Sequence, residues 1–305
     1  MKPFKSIIEF QKHFNTEDKC RLYLERQRWN GTPCCPFCGS TNVMRFSNNN
    51  KIFKCKEKQC YNKFSVLVGT VYENTKLPLV KWFYAIYILS IHSKGISSMQ
   101  LANMLGITQK SAWFLNHRIR EMLTDRNPEL LNSIVEVDET LIGGKESNKH
   151  KAKRTSKGGQ GKKVMVFGAI QRQGKLITKV VTDQSPENIN KIINDNIEKD
   201  STIMSDEHHY YNKLKLNFKH ERINHRAKEY AKGNVYTNTI EGYWSQLKRQ
   251  IDGIHHFVSP KHLQRYCNES NYRHNNRMLA QDERFAQSVS QCNGRLKYKQ
   301  LIAKI

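Results

Sequence analysis

The C-terminal half of the chain is organised around one stretch, Asn238-Thr-Ile-Glu-Gly-Tyr-Trp-Ser-Gln-Leu-Lys248. The apolar residues of this region recur at the spacing of one helical face, which predicts a helix from about Thr237 to Ile251. On another face of that helix, Glu241, Ser245 and Lys248 follow one another at intervals of about one turn. An acid and a base on one face, in a strongly basic chain, indicate a metal ligand beside a contact to phosphate.

Two earlier carboxylates each end a run that is typical of a β-strand, Ile134-Val-Glu-Val-Asp138 and Thr202-Ile-Met-Ser-Asp206. With Glu241 they form a candidate Asp–Asp–Glu metal site. Two ions about 3.5–4 Å apart can activate the attacking oxygen of a phosphodiester and stabilise the leaving one, and such ions prefer carboxylate oxygens. We expect Asp138 to bridge two Mg²⁺ or Mn²⁺ ions, and Asp206 and Glu241 to hold one ion each. Lys248 would hold DNA near the scissile phosphate.

Each carboxylate also has an ordinary structural explanation. Asp138 can be a polar strand end, and Glu136, two residues earlier on the same strand face, competes with it for the metal role. Asp206 can cap the helix that follows it. The pattern Asn238-x-x-Glu241 resembles a capping box, in which Glu241 only satisfies the helix N-terminus. The coincidence of all three acids in one basic chain favours the metal site.

The elements from residue 134 onward follow a defined order: strand, strand, strand, helix, strand, helix, and then the helix of Glu241. A turn at Arg172-Gln-Gly174 joins the second and third strands, Ser185-Pro186 opens the first helix, and His208-His-Tyr-Tyr211 opens the second. This order predicts an α/β fold of the RNase H-like kind, a mixed sheet with flanking helices. Acids at the ends of its first and fourth strands lie near each other, and Trp244 is expected to pack the last helix on the sheet.

The N-terminal third of the chain carries a metal-ligand pattern. The pair Cys35-Pro-Phe-Cys38 is separated by sixteen residues from Cys55-Lys-Glu-Lys-Gln-Cys60. Four thiolates suit a tetrahedral Zn²⁺, which would supply folding energy that about 25 residues cannot obtain from a core of their own. The spacing therefore predicts a structural zinc ribbon, and the alternative is a set of buried or free thiols.

A second DNA-binding signal follows the cysteines. After a helix that begins near Leu79, the stretch Gly95–Trp113 has the pattern of a helix–turn–helix, with a serine cap, a turn at Gly106 and a second cap at Thr108. The N-terminus of the second helix of such a motif meets base edges. That position holds three candidate contact residues: Gln109, Lys110 and Ser111. The alternative is an ordinary helical hairpin.

The charge of the chain indicates a polyanionic partner. Lys and Arg number 51 against 27 Asp and Glu, for a net charge of +24. Such an imbalance most often accompanies nucleic-acid binding, although a solvated lysine-rich surface is the alternative. The basic, glycine-containing loop Lys145–Lys163 could follow phosphates. The most apolar run, Leu79–Ile91, is too short to span a membrane, and the first residues lack a signal-peptide core. We expect no membrane partner and a cytoplasmic, nucleoid-associated protein of a prokaryote.

The composition shifts along the chain predict five segments. They are a helical lead-in over 1–30, the zinc ribbon over 31–70, the helix–turn–helix region over 71–127, the α/β catalytic domain over 128–276, and a basic C-terminal tail over 277–305. Arg284 and Arg295 in the tail could add phosphate contacts.

Motifs that recur in order along the chain resemble those of a known family. They are Cys35-Pro-x-Cys38, Phe64–Thr70, Leu77-Pro-Leu-x-Lys-Trp-Phe83, Gly95-Ile-Ser-Ser, Val135-Glu-Val-Asp-Glu-Thr-x-Ile-Gly-Gly144, Ser205-Asp206, Asn238-Thr-Ile-Glu-Gly-x-Trp-Ser-x-Leu-Lys248 and Val258-Ser-Pro-Lys-His-Leu263. They look like the motifs of bacterial insertion-sequence transposases with an N-terminal zinc ribbon, which are relatives of the eukaryotic Merlin elements. The resemblance covers roughly residues 20–276. The looser spacing of Cys55 and Cys60 departs from the family's pattern.

The resemblance implies a particular activity. Its members have an RNase H-like DDE catalytic domain that cleaves the terminal inverted repeats of the element with Mg²⁺ and transfers the strand into target DNA. The DDE acids would be Asp138, Asp206 and Glu241. Because two ends are paired during this reaction, a homo-oligomer on double-stranded DNA is expected. The alternatives are a DNA-binding regulator derived from a transposase with an inactive catalytic domain, and a nuclease that cuts without joining.

Overall fold

The computed structural model describes residues 3–144, 150–154, 163–206, 211, 218–223 and 236–303. By its internal contacts the chain divides into two compact units, Met1–Thr124 with Met278–Ile305, and Asp125–Arg277. Most of the basic loop expected over Lys145–Lys163, and the helix start expected at His208, lie outside the described residues. None of the helices in the described ranges is long and apolar enough to cross a membrane.

The first unit begins with two capped helices and a small sheet. Its elements up to Thr124 are α1 (Ile7–His13), α2 (Glu17–Trp29), β1 (Val43–Arg45), β2 (Phe53–Cys55), β3 (Lys63–Phe64), α3 (Leu79–Ile91), α4 (Ser98–Leu105) and α5 (Gln109–Met122). The three strands form an antiparallel sheet in the order β1-β2-β3. The inner face of this sheet packs through Phe53 and Phe64, whose rings stack with centroids 5.6 Å apart.

The helix pair α4–α5 forms as the capping signals predict. Ser97 caps α4 through a capping box, and the Thr108 side chain accepts a hydrogen bond from the backbone NH of Ser111 at the start of α5. Between the helices Gly106 has a φ of 58°. A side chain is disfavoured in that left-handed conformation, so glycine is suited to the turn.

The second unit is built on a mixed five-stranded sheet. In chain order its elements are β4 (Ile134–Ile142), β5 (Val164–Gln171), β6 (Leu176–Val181), α6 (Pro186–Asn196), β7 (Thr202–Ser205), β8 (Lys219–Arg222), α7 (Asn238–Gln250) and α8 (Pro260–Asn275). The strand order is β6-β5-β4-β7-β8. Strands β4, β5 and β6 pair antiparallel, whereas β7 and β8 join β4 in parallel. The RNase H-like α/β fold predicted from the order of elements is confirmed.

The two faces of this sheet bury different helices. Val135, Val137 and Phe167 share one hydrophobic cluster with Ile189 and Ile193 of α6. The opposite face buries Val166 and Ile170 of β5 together with a row of residues from α7 and α8: Ile240, Trp244, Leu247 and Leu263. Because successive strand residues point to opposite faces, even-numbered positions of β4 lie on the α7 side.

The C-terminal residues, expected as a basic tail, form two helices of the first unit. These are α9 (Gln281–Ser290) and α10 (Tyr298–Ile302). Phe285 of α9 is fully buried. Its ring lies within 6.4 Å, centroid to centroid, of six others: Phe4, Phe10, Phe14, Tyr23, Phe83 and Tyr87. Phe285 supplies the largest buried side chain of this segment, and Val289, Cys292, Leu296 and Leu301 are buried with it.

Candidate active site and zinc site

The four predicted cysteine ligands are gathered at one point. The sulfur atoms of Cys35, Cys38, Cys55 and Cys60 all lie within 4.8 Å of one another. Cys35 Sγ is 3.7 Å from Cys60 Sγ, and Cys38 Sγ is 3.6 Å from Cys55 Sγ. A disulfide would require about 2.05 Å. A tetrahedral zinc with Zn–S bonds of about 2.3 Å places its sulfurs about 3.8 Å apart. The spacing therefore fits a zinc ion.

Two tight turns present these thiols. The backbone NH of Gly39 donates to the carbonyl of Cys35, and the NH of Tyr61 donates to that of Glu57. Both Gly39 and Tyr61 have positive φ. Hydrogen bonds from the backbone and side chain of Asn62 lower the pKa of Cys60 to about 7. A lowered thiol pKa favours the thiolate, which is the form that binds metal.

Asp138 and Asp206 lie on or next to two neighbouring strands of the sheet. Strands β4 and β7 are parallel neighbours in which Glu136 pairs with Met204. Asp138 follows two residues later on β4, so it lies on the α7 side, and Asp206 is the first residue after β7. Ser205 helps to hold the end of β7, because its hydroxyl lies 2.8 Å from Nε2 of His220 on β8.

The third acid approaches from α7. Glu241 is exposed in the first turn of this helix. Burial raises the pKa of Asp138 to about 6, and the negative charges of Asp206 and Glu241 contribute to that rise. Asp138 therefore lies within the electrostatic influence of the other two predicted acids. They do not converge on one point: in the described ranges, only the four cysteines have three or more ligand atoms that all lie within 4.8 Å of one another.

Glu136, considered above as a rival to Asp138, has another partner. Its carboxylate is fully buried and accepts hydrogen bonds from the backbone NH groups of Thr239 and Ile240 at 2.9 and 3.1 Å. Arg172 Nε pairs with the same carboxylate at 2.8 Å. Glu136 therefore caps α7 from the neighbouring strand. The capping box expected from Asn238 and Glu241 does not form: the N-cap residue is Thr237, which makes no side-chain bond to the helix backbone, and its hydroxyl donates instead to Glu241 Oε1 at 3.3 Å.

Trp244 both packs α7 on the sheet and contacts an acid. Its ring belongs to the hydrophobic cluster between α7 and the sheet. Its indole Nε1 donates to Oδ2 of Asp138 at 2.9 Å. Directly opposite Asp138 on β5 lies Gly168, and a Cβ there would be only 2.6 Å from the Trp244 ring. The absence of a side chain at Gly168 thus permits the ring to reach Asp138.

The predicted DNA contacts are accessible on their helices. Lys248 is exposed on α7, two turns after Glu241. Gln109 and Lys110 are exposed, and Ser111 is half-buried, at the N-terminus of α5. Two of the three also make hydrogen bonds that stabilise the α4–α5 connection: Gln109 Nε2 donates to Ser98 Oγ, and Ser111 Oγ accepts from the Thr108 hydroxyl.

The sequence analysis did not single out Glu139, a half-buried carboxyl group next to Asp138. Burial raises the pKa of Glu139 to about 8, and the charges of Asp138 and Asp206 contribute. The hydroxyl of Tyr211 donates to Glu139 Oε1 at 2.6 Å. Glu139 directly follows Asp138 in the sequence, but strand alternation directs the two side chains to opposite faces of the sheet, so no sequence pattern grouped Glu139 with the acids.

Comparison with known proteins agrees with this architecture. A family model described as a transposase zinc-ribbon domain matches residues 15–63, and one described as an ISXO2-like transposase domain matches residues 130–275. Together these ranges cover more than half of the chain.

Two relatives carry related descriptions. An uncharacterized protein in transposable element ISH50 of Halobacterium salinarum is 26% identical over 267 residues, which are 84% of this chain and 90% of the relative. An uncharacterized transposase-like protein of Haemophilus influenzae is 29% identical over 103 residues, which are 33% of this chain and 82% of that relative. The fold, the four-cysteine cluster and these matches show that the chain belongs to the insertion-sequence transposases with an N-terminal zinc ribbon.

Proposed function

We propose that this transposase binds the terminal inverted repeats of its element, cleaves DNA there with Mg²⁺ or Mn²⁺, and joins the ends to target DNA. One observation carries the catalytic part of the proposal. Asp138 lies on β4 and Asp206 directly follows the parallel neighbour β7, and the pKa of Asp138 is raised mainly by burial and further by the charges of Asp206 and Glu241. Like charges placed together in this way are unfavourable without cations, which is expected of a metal site.

The donors suit hard divalent cations. Carboxylate oxygens are the ligands that Mg²⁺ and Mn²⁺ prefer. When bound, two such ions would supply charge stabilisation to both the attacking and the leaving oxygen. Asp138, the most central acid, would contact both ions, while Asp206 and Glu241 would each hold one. Because the three acids do not meet at one point, this division suits them better than a single shared ion. Lys248 would hold the phosphodiester along the exposed face of α7.

The outer face of the zinc ribbon supports DNA binding. Met44, Lys54 and Lys63 lie side by side across its three strands. Lys54 Nζ is 3.6 Å from the centroid of the Tyr61 ring, and Tyr61 is 60% exposed. Lysines directly opposite each other on a sheet repel. A phosphate backbone would neutralise that repulsion, so we assign this face to backbone contacts and the N-terminus of α5 to base contacts.

The chain would act as a homo-oligomer on paired repeat ends, and its site of action would be the nucleoid. These statements follow from the proposed reaction, in which two ends of one element are joined to a target.

The decisive experiment is cleavage of a labelled duplex that carries the inverted repeat flanking this reading frame. Wild type is compared with Glu241→Ala and Asp138→Ala, in Mg²⁺ and in Mn²⁺. Asp252→Ala is the matched control, because Asp252 is an exposed acid immediately beyond α7. We expect cleavage and joined products for wild type and the control, and neither for the two acid variants, with repeat binding retained in all four.

Other outcomes identify the alternatives. Binding without cleavage by wild type in both metals would show a regulator with an inactive catalytic domain. Cleavage without joined products would show a nuclease. Full cleavage by pure Asp138→Ala protein would refute the assignment of the acids.

A further inference from the structure

Strand β4 and helix α7 are connected at two points by directional bonds. At the first, the Glu136 carboxylate accepts from the backbone of Thr239 and Ile240 and from the Thr239 hydroxyl, at 2.8–3.1 Å. At the second, Asp138 Oδ2 accepts from Trp244 Nε1 at 2.9 Å. All of these groups lie in the second unit and on one face of its sheet.

The spacing of the two points matches on both elements. Glu136 and Asp138 are two strand residues apart, which is about 6.6 Å at ~3.3 Å per residue. Their partners on α7 are four to five residues apart, which is about 6–7.5 Å at ~1.5 Å per residue. A shift of α7 by one residue would break both connections together. Glu241 lies between the two points in sequence, so its position relative to Asp138 is fixed on both sides.

A buried network supports the first point. Arg172 pairs with Glu136 through Nε and donates from Nη2 to the carbonyl of Tyr236 at 2.8 Å. Its guanidinium also lies 3.5 Å from the centroid of the Tyr236 ring. Tyr236 is two residues before α7, so Arg172 holds the approach to the helix as well as the acid that caps it.

Packing alone does not explain these bonds. Ile240, Leu247 and Ile251 already bury an apolar face of α7. Apolar contacts are non-directional and would tolerate sliding of the helix. A buried ion pair is weak evidence for stability, and its best-attested use is to specify register.

We propose that Glu136 and Trp244 are positioning residues that fix Glu241 opposite Asp138 and thereby set the affinity of the three acids for divalent cations. This inference depends on the proposed function, because it assumes that the acids bind metal. Neither residue needs to touch DNA or an ion: Glu136 acts through the helix it caps, and Trp244 acts through the carboxylate it orients.

The test uses Glu136→Gln and Trp244→Phe in the full-length chain. Tyr243→Phe is the matched control, because Tyr243 is the neighbour of Trp244 and its hydroxyl hydrogen-bonds at 2.8 Å to Asn271 of α8 rather than to an acid. The two aromatic variants each lose one hydrogen bond of α7 and keep a phenyl ring. Circular dichroism identifies the variants that fold, and either of the two test variants is sufficient.

Two measurements are made on each folded variant. The first is Mn²⁺ affinity by titration calorimetry without DNA, with Asp138→Asn to identify binding at the acids. Loss of an outer contact to a metal ligand typically weakens binding about 10–100-fold. We expect Mn²⁺ affinity to fall by that factor in Trp244→Phe, which removes the bond to Asp138, and in Glu136→Gln, which loosens the helix that carries Glu241. Tyr243→Phe should change the affinity less than about twofold, because its lost bond is to Asn271 and not to an acid. The second is hydrogen exchange of residues 237–245, which should speed up at the first turn of α7 in Glu136→Gln and stay unchanged in Tyr243→Phe.

The outcomes separate the two proposals. Wild-type Mn²⁺ affinity in both test variants, where wild type binds through Asp138, would overturn the positioning role and leave the proposed function intact. Equal weakening in Tyr243→Phe would also overturn it, because any disturbance of α7 would then suffice. A wild-type protein that binds no Mn²⁺ through Asp138 would overturn both proposals.

Discussion

Gly168→Ala is the sharpest test of the contact between α7 and the sheet. The added Cβ would lie 2.6 and 2.7 Å from two carbons of the Trp244 ring and 3.0 Å from Cδ1 of Ile240. Since ordinary contact begins at 3.4 Å, the ring must move by about 0.8 Å. Both neighbours are buried beneath α7, so this movement cannot be absorbed by a flexible side chain at the surface.

The expected cost has two parts. Inserting one carbon into a packed core costs about 1–3 kcal/mol. A movement of about 0.8 Å along the bond from Trp244 to Asp138 would stretch it from 2.9 Å beyond hydrogen-bonding distance. An unsatisfied buried donor adds about 1–3 kcal/mol. We therefore expect Gly168→Ala to destabilise the second unit by at least about 1 kcal/mol and to weaken Mn²⁺ binding.

Gly242→Ala is the control for the substitution itself. Gly242 lies on the exposed side of α7, and a Cβ there would meet nothing within 4 Å. Replacing glycine in a helix with alanine should stabilise it by about 0.5–1 kcal/mol. Urea denaturation followed by circular dichroism, with hydrogen exchange of β5 and α7 to locate the change, should show opposite signs for the two variants. A Gly168→Ala protein as stable as wild type would refute the proposed close contact.

Four further predictions concern other parts of the molecule. Phe285→Ala should destabilise the first unit by about 3–5 kcal/mol in calorimetry, whereas Met278→Ala, at a side chain 87% exposed, should have little effect. Cys38→Ser should lose the zinc detected by elemental analysis and with it repeat binding, whereas Cys34→Ser, outside the four-cysteine cluster, should retain both. Mn²⁺ affinity measured by titration calorimetry should fall as the pH drops through about 6, because protons then occupy Asp138. In the metal-free protein, the same raised pKa means that the contribution of Asp138 to the free energy of unfolding declines as the pH rises from 3.8 to about 6, which thermal melts at several pH values would reveal. Lys54→Ala and Lys63→Ala should each reduce the slope of log affinity against log salt by about 0.9, and an unchanged slope would remove that lysine from the DNA interface.

The three proposed acids could be singled out because their sequence signals are local. Asp138 and Asp206 each end a short apolar run, and Glu241 lies on the polar side of an amphipathic helix. The caps at Ser97 and Thr108 were equally accessible, since a cap bonds only to residues three positions away. Such patterns depend on chemistry within one or two turns of chain.

The partners of Glu136 were not predictable in the same way. Strand alternation places Glu136 and Asp138 on one face, and nothing in β4 distinguishes the acid that caps a helix from the one that faces Asp206. The choice depends on where α7 begins, about a hundred residues later. The role of Phe285 was hidden for a similar reason: α9 is short and largely polar, and all six of the rings around Phe285 belong to the first 87 residues.

The discontinuity of the first unit has a consequence for biosynthesis. At about 5–20 residues per second, a ribosome adds Phe285 on the order of ten seconds after it has passed Thr124. The entire second unit is synthesised during that delay and has its own core, so its folding does not depend on Phe285. Until then Phe4, Phe10, Phe14 and Phe83 lack the Phe285 ring against which they pack, so this part of the core stays incomplete. The first unit, which carries the four-cysteine cluster, can therefore complete its aromatic core only after the second unit has been synthesised.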